Sequence, residues 1–238
     1  MTRSGMRKQA VPSITPAAID ARVAALPDQT APRLRELRRE LSRALSSASP
    51  DEILALASAL VERGGDVDRF FAYEIVATHA PTMKSLTAQS VRELGRGIST
   101  WVGVDTFASY VSGPAWREGR LSDVEIARWA RSTDRWWRRA ALVSTVPLNV
   151  QARGGSGDSR RTLAVCRMLV GDRDPMVWKA LSWALRSLIP RDPAAVREFL
   201  RQHETGIGAP VRREVTTKLT TGLKNPRKAR SKRSRDDT

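Results

Sequence analysis

Apolar residues recur at spacings of three and four along almost the whole chain, and strand-like alternation is scarce. That period places successive apolar side chains on one face of a helix, and no sheet can be built from it. The pattern predicts helices over 15–26, 30–45, 50–63, 66–79, 88–98, 104–111, 122–131, 134–146, 159–170, 174–188, 193–203 and 210–221. Local punctuation supports several ends. Gly64 and Gly65 close the third segment, and Ser122 with Glu125 has the spacing of a capping box. The stretch 151–158 reads as the most flexible interior loop.

About twelve short helices in a row suggest an internal repeat. Asp134-Arg135-Trp136-Trp137-Arg138-Arg139-Ala140 and Asp174-Pro175-Met176-Val177-Trp178-Lys179-Ala180 align forty residues apart. Each has an acid at a helix start, a cation five residues on and an alanine six residues on. Asp66 and Ala72 suggest a third copy without the cation. Forty residues is the period of HEAT-type two-helix repeats, in which a small residue admits the paired helix. The expected fold is therefore all-α, an α-α superhelix or solenoid of about six HEAT-like helix pairs. It would occupy residues 13–223 as one domain, with a flexible N-terminus (1–12) and a disordered basic tail (224–238).

Charge narrows the partner. The chain has 41 Lys and Arg against 25 Asp and Glu, a net +16 over 238 residues. Residues 224–238 contribute +5 of this +16, which leaves +11 on the body. A basic body favours a polyanion, and nucleic acid over a protein partner; a solvated Arg-rich surface is the plainer alternative. The single cysteine, Cys166, excludes an internal disulfide and reads as core, between Val165 and Arg167 of an apolar-periodic helix. His79 and His203 cannot form a Cys/His zinc site with one thiol, and no metal or cofactor is expected. No apolar run approaches a membrane span, and no signal peptide is visible. The expectation is a cytoplasmic, nucleoid-associated monomer. Gly154-Gly155-Ser156-Gly157 lacks the lysine and preceding strand of a phosphate-binding loop.

Two places combine aromatics with charge. In 174–188, Val177, Ala180, Leu181, Ala184, Leu185 and Leu188 form a core stripe, while Lys179, Trp183 and Arg186 cluster opposite. An indole among cations suits base stacking beside phosphate pairing, although in stacked helices Trp183 can equally pack on a neighbour. Trp101 stands at an expected turn with Asp105 four residues later, and the two can line one pocket. Asp105 also suits a plain N-cap for a helix starting at Thr106.

These residues carry a resemblance. Trp101-Val102-Gly103-Val104-Asp105, Trp136-Trp137-Arg138-Arg139-Ala140-Ala141, Ala180-Leu181-Ser182-Trp183-Ala184-Leu185-Arg186 and Pro210-Val211-Arg212-Arg213-Glu214 occur in that order. Over 69–221 the chain resembles the DNA alkylation repair family, bacterial AlkD-like alkylpurine-DNA glycosylases built from HEAT-like repeats. The resemblance implies a solenoid whose concave basic face holds double-stranded DNA. It also implies hydrolysis of the N-glycosidic bond of purines alkylated at N3 or N7. By similarity Asp105 would be the catalytic carboxylate, and Trp101 and Trp183 would contact the backbone and deoxyribose of the lesion. Arg139 would hold phosphate and Arg186 would support the cleft, with Lys179, Arg212 and Arg213 as further DNA contacts. Two features depart from the family pattern: Val102 stands where a second acid is usual, and no aromatic residue precedes Phe70. Two other readings stay open, a non-catalytic protein of the same fold that binds damaged or branched DNA, and a helical-repeat scaffold for a protein.

Overall fold

Most helices begin where a side chain or a proline can satisfy or spare the first unpaired backbone N–H groups, the helix after Gly65 being an exception. The computed structural model describes residues 14–224, so the segment 1–12 and the tail beyond Lys224 lie outside the described residues. Among the described residues there are fifteen α-helices, one π-helical segment, one short 3-10 turn and no strand. The all-α expectation is borne out, and the helices stack in a solenoid-like, helical-repeat manner within each of two compact units that divide after Arg128.

The first unit comprises α1 (Pro16–Ala24), α2 (Ala31–Ala44), α3 (Pro50–Arg63), α4 (Asp66–Thr78), α5 (Ala80–Ser85), α6 (Ala88–Leu94), α7 (Trp101–Phe107), a π-helical segment (Ala108–Ser112) and α8 (Gly113–Arg117), after which α9 (Asp123–Ala130) follows. Its centre is α4, which packs on α2, α3 and α7 and buries Phe71, Tyr73, Ile75 and Val76. Gly64 ends α3 at φ +82°, a left-handed cap that residues with a Cβ adopt poorly. Buried Arg69 donates to the Tyr73 hydroxyl and to the Arg96 carbonyl, both at 2.8 Å, and Tyr73 donates to the Leu94 carbonyl at 2.9 Å. The orphan carbonyls at the end of α6 thus receive side-chain donors from α4.

The second unit contains α10 (Arg135–Val143), α11 (Val146–Asn149), the 3-10 turn (Gln151–Arg153), α12 (Ser159–Leu169), α13 (Pro175–Leu188), α14 (Pro193–Gln202) and α15 (Ala209–Thr221). The stripe expected on α13 is its core face: Val177, Ala180, Leu181, Ala184, Leu185 and Leu188 are all buried, against α10, α12 and α15. The two segments aligned forty residues apart are capped alike. Asp134 and Asp174 each accept the backbone N–H two residues on, at 2.8 Å in both, and Ala140 and Ala180 are fully buried where α10 and α13 pack. Asp66 does not repeat this role, because Gly65 occupies the cap position and Asp66 is the first helical residue.

Several local expectations differ from the structure, which also has helices at α8 (Gly113–Arg117) and α11 (Val146–Asn149) that the sequence did not announce. Residues 80–85 form a helix that the sequence left unassigned; Pro81 starts it, and His79, which ends α4, caps it by accepting the Thr82 N–H. The helix expected from Val104 starts three residues earlier, at Trp101. The loop 151–158 is held rather than loose. Arg191 donates to the carbonyls of Asn149 and Gly155, both at 3.0 Å, and Asn149 links to Asp158 and Thr162. Glycine-rich composition suggested mobility, but these partners lie up to 42 residues away.

Cys166 is buried as expected, and burial pushes its thiol pKa well up from the ordinary 9.0. Burial likewise pushes the Tyr73 hydroxyl from 10.0 up to about 12. Both groups ionise more readily in the unfolded chain, so their contribution is intact below their ordinary values and is lost as pH rises through them. Urea unfolding is therefore expected to show stability falling above pH 9, by up to about 1.4 kcal/mol per pH unit for each group. A flat profile from pH 8 to 11 would contradict this.

Candidate functional site

The start of α7 is fixed from two directions. Thr100 caps it, its hydroxyl accepting the Gly103 N–H at 3.1 Å and donating to the Asp66 carboxylate of α4 at 2.5 Å. Gly103 lets the two helices approach: a Cβ there would lie 3.3 Å from the Thr100 hydroxyl and 3.4 Å from Arg69 Cδ. On this anchored turn Trp101 is the first helical residue and is 57% exposed. Asp105 follows one turn later and is half-buried. Residues four apart share a helix face, so Trp101 and Asp105 lie on one side of α7, one turn apart. Trp101 is thus not at a turn and Asp105 is not an N-cap; the Thr100 cap begins the helix before either. Beyond them the backbone passes into the π-helical segment Ala108–Ser112, a rare distortion that occurs often at functional sites.

In the second unit the expected contacts fall on α10, α13 and α15. Arg139 is 6% exposed and donates to the Met176 carbonyl in the first turn of α13, so it ties α10 to α13. Beside it Arg138 pairs with Asp172 at 2.7 Å, and the Arg135 guanidinium lies 4.9 Å from the centroid of the half-buried Trp136. On α13, Lys179 is exposed with its ammonium 5.7 Å from the Trp178 ring. Trp183 and Arg186 are half-buried. Arg186 Nε donates to the Ser182 hydroxyl at 3.1 Å and lies 3.7 Å from Glu214 of α15, while Ser182 donates to Glu214 at 2.6 Å. Burial lowers the Arg186 pKa from its ordinary value, and Glu214 opposes that shift; arginine stays charged regardless. Arg212 pairs with Glu204 at 3.2 Å, and Arg213 is exposed.

The structure therefore places Trp101 and Asp105 one turn apart on the same face of α7. It brings Lys179, Trp183 and Arg186 together on α13, with Arg212 and Arg213 on the helix packed against it. Trp129 and Trp116 are core, as is usual for large aromatics, and Trp129 packs on Trp137 at 4.8 Å. The sequence reading missed Asp66, Ser182 and Glu214, whose partners lie more than thirty residues away. Thr100 was missed as well, although a threonine just before a helix is the signal that could have found it.

No helix among the described residues is long and apolar enough to cross a membrane, and none of their His, Cys, Asp and Glu side chains group in threes able to hold a metal. Neither the curated proteins nor the solved structures give a significant match. Residues 29–224, most of the chain, match the family described as DNA alkylation repair enzyme. With that match and an all-helical repeat fold beneath it, the chain belongs to the DNA alkylation repair enzyme family.

Proposed function

We propose that the chain is a DNA glycosylase that hydrolyses the N-glycosidic bond of cationic N3- or N7-alkylated purines in duplex DNA. The observation that carries this reading is the exposed Trp101 indole one turn from the Asp105 carboxylate on the anchored start of α7. An alkylated purine of this kind already bears the positive charge that a general acid would otherwise supply. When its bond to C1′ breaks, the electron pair goes to the base nitrogen and the base leaves neutral. The cation that remains is the oxocarbenium-like sugar. One carboxylate can stabilise it and orient the attacking water, whose proton passes to the carboxylate or to solvent. The indole face adds cation–π attraction for the charged base or sugar.

In this reading Asp105 is the catalytic carboxylate, and Trp101 and Trp183 contact the deoxyribose and backbone of the lesion. Lys179, Arg186, Arg212 and Arg213 supply positive potential for the phosphates. Arg139 does so from a guanidinium that also holds α13. The enzyme acts as a monomer on nucleoid DNA. Incubation with methylated duplex tests the reaction type: free methylated purine and alkali-labile abasic sites should accumulate together. Tight binding without either product would leave a non-catalytic DNA-binding protein.

A further inference from the structure

Most arginines of the first unit are paired. Arg22 meets Glu40, Arg33 lies 3.5 Å from Asp28, Arg38 is 2.9 Å from Glu74, and Arg63 joins Asp20 and Asp68. Arg35, Arg39 and Arg43 of α2 differ. All three are exposed, and among the described residues none has a hydrogen-bond or ion-pair partner. They stand four residues apart, so they form one row along the solvent side of the helix. Leu37, Leu41 and Leu45 point the other way and are buried. The neighbouring acids do not neutralise the row: Glu40 is taken by Arg22, and Glu36 is the one acid left on the exposed side.

We infer that Arg35, Arg39 and Arg43 form a phosphate-tracking ridge that grips the backbone of duplex DNA, an interaction surface additional to the contacts on α10, α13 and α15. Like charges four apart repel each other within a helix, so the row is costly to the isolated fold and favourable beside a polyanion. Its dimensions fit one. At 1.5 Å per residue the row spans about 12 Å, which is the axial rise of about three or four phosphates on one strand. The apolar face of α2 is already occupied by the core, so insertion into a lipid surface is closed to this helix. Guanidinium groups with no partner among the described residues can follow the backbone without reading bases, which would make this contact independent of sequence and of damage.

The inference rests on the DNA-binding part of the proposed function and not on its chemistry. It is tested by measuring Kd for an undamaged duplex across a salt series with the full chain and with Arg35→Ala/Arg39→Ala/Arg43→Ala. Alanine is the best helix former and the sites are exposed, so the fold should persist, which a melting curve checks. Each phosphate contact contributes about 0.9 to the slope of log K against log salt, so the triple variant should be shallower by about 2 to 3. A control variant removes the same charge from scattered, exposed positions that have no hydrogen-bond or ion-pair partner among the described residues, Arg120→Ala/Arg167→Ala/Arg197→Ala, and should change the slope much less. An unchanged slope in the ridge variant, or an equal change in the control, overturns the ridge while leaving DNA binding intact. A wild-type chain with no salt-steep binding would instead overturn the DNA-binding reading itself.

Discussion

Asp105→Asn is expected to slow base release by at least about 10²-fold while leaving duplex affinity within a factor of about two. The substitution keeps size and shape, so α7 and the Thr100 cap should be undisturbed and Trp101 should hold its place. What it removes is one negative charge beside the sugar at the moment that sugar becomes cationic. Loss of a single preorganised electrostatic contact to a developing charge costs about 3 to 4 kcal/mol, or 10²- to 10³-fold. Duplex binding depends mainly on phosphate contacts, which an acidic residue does not supply. Rate and affinity should therefore separate. A variant that excises at the wild-type rate would remove Asp105 from the chemistry, and one that loses affinity in parallel would make it a structural residue.

The largest effect on stability is expected at Gly155, through Gly155→Ala. A Cβ placed there would lie 2.5 Å from the Pro147 carbonyl oxygen, 2.6 Å from the Leu148 carbonyl carbon and 2.7 Å from the Asn149 nitrogen. All three are backbone atoms, so no rotamer change relieves the overlap. The loop cannot simply lift either. Gly155 N–H is bound to Val150, Gly157 N–H to Leu148, and the Gly155 carbonyl to Arg191. Overpacking of this kind costs about 3 kcal/mol, which in a chain of this size lowers Tm by about 6 to 12 °C. Gly171, with nothing within 4 Å of its would-be Cβ, is the control, and Gly171→Ala should leave Tm nearly unchanged. Equal behaviour of the two variants would mean that the loop repacks at little cost.

The fold was legible because helix periodicity and caps are local. Asp134, Asp174 and Ser49 each announce a helix within three residues of the bond they make, and the stripe on α13 required only counting. The short helix α5 was not legible, because its cap is the imidazole of His79, which no cap preference favours. At the site, the pairing of Trp101 with Asp105 was read from their closeness in sequence, with Trp101 at an expected turn; the helix that carries both starts three residues earlier than expected. The long-range supports were invisible. Nothing near Asp66 in the sequence points to Thr100, nothing near Ser182 points to Glu214, and the glycine-rich stretch gives no hint of Arg191. Arg139 shows the opposite gap. The resemblance implied a phosphate ligand there, and the side chain is buried against α13. Arg139→Ala would therefore disturb packing as well as any contact with DNA.

The most direct measurement is single-turnover release of base from a duplex carrying one N7-methylguanine, with enzyme in excess and the identical undamaged duplex beside it. The expected result is free N7-methylguanine appearing far faster than by spontaneous depurination, with an abasic site in its place and the undamaged duplex intact. Release at the spontaneous rate, with the duplex demonstrably bound, would contradict the glycosylase reading.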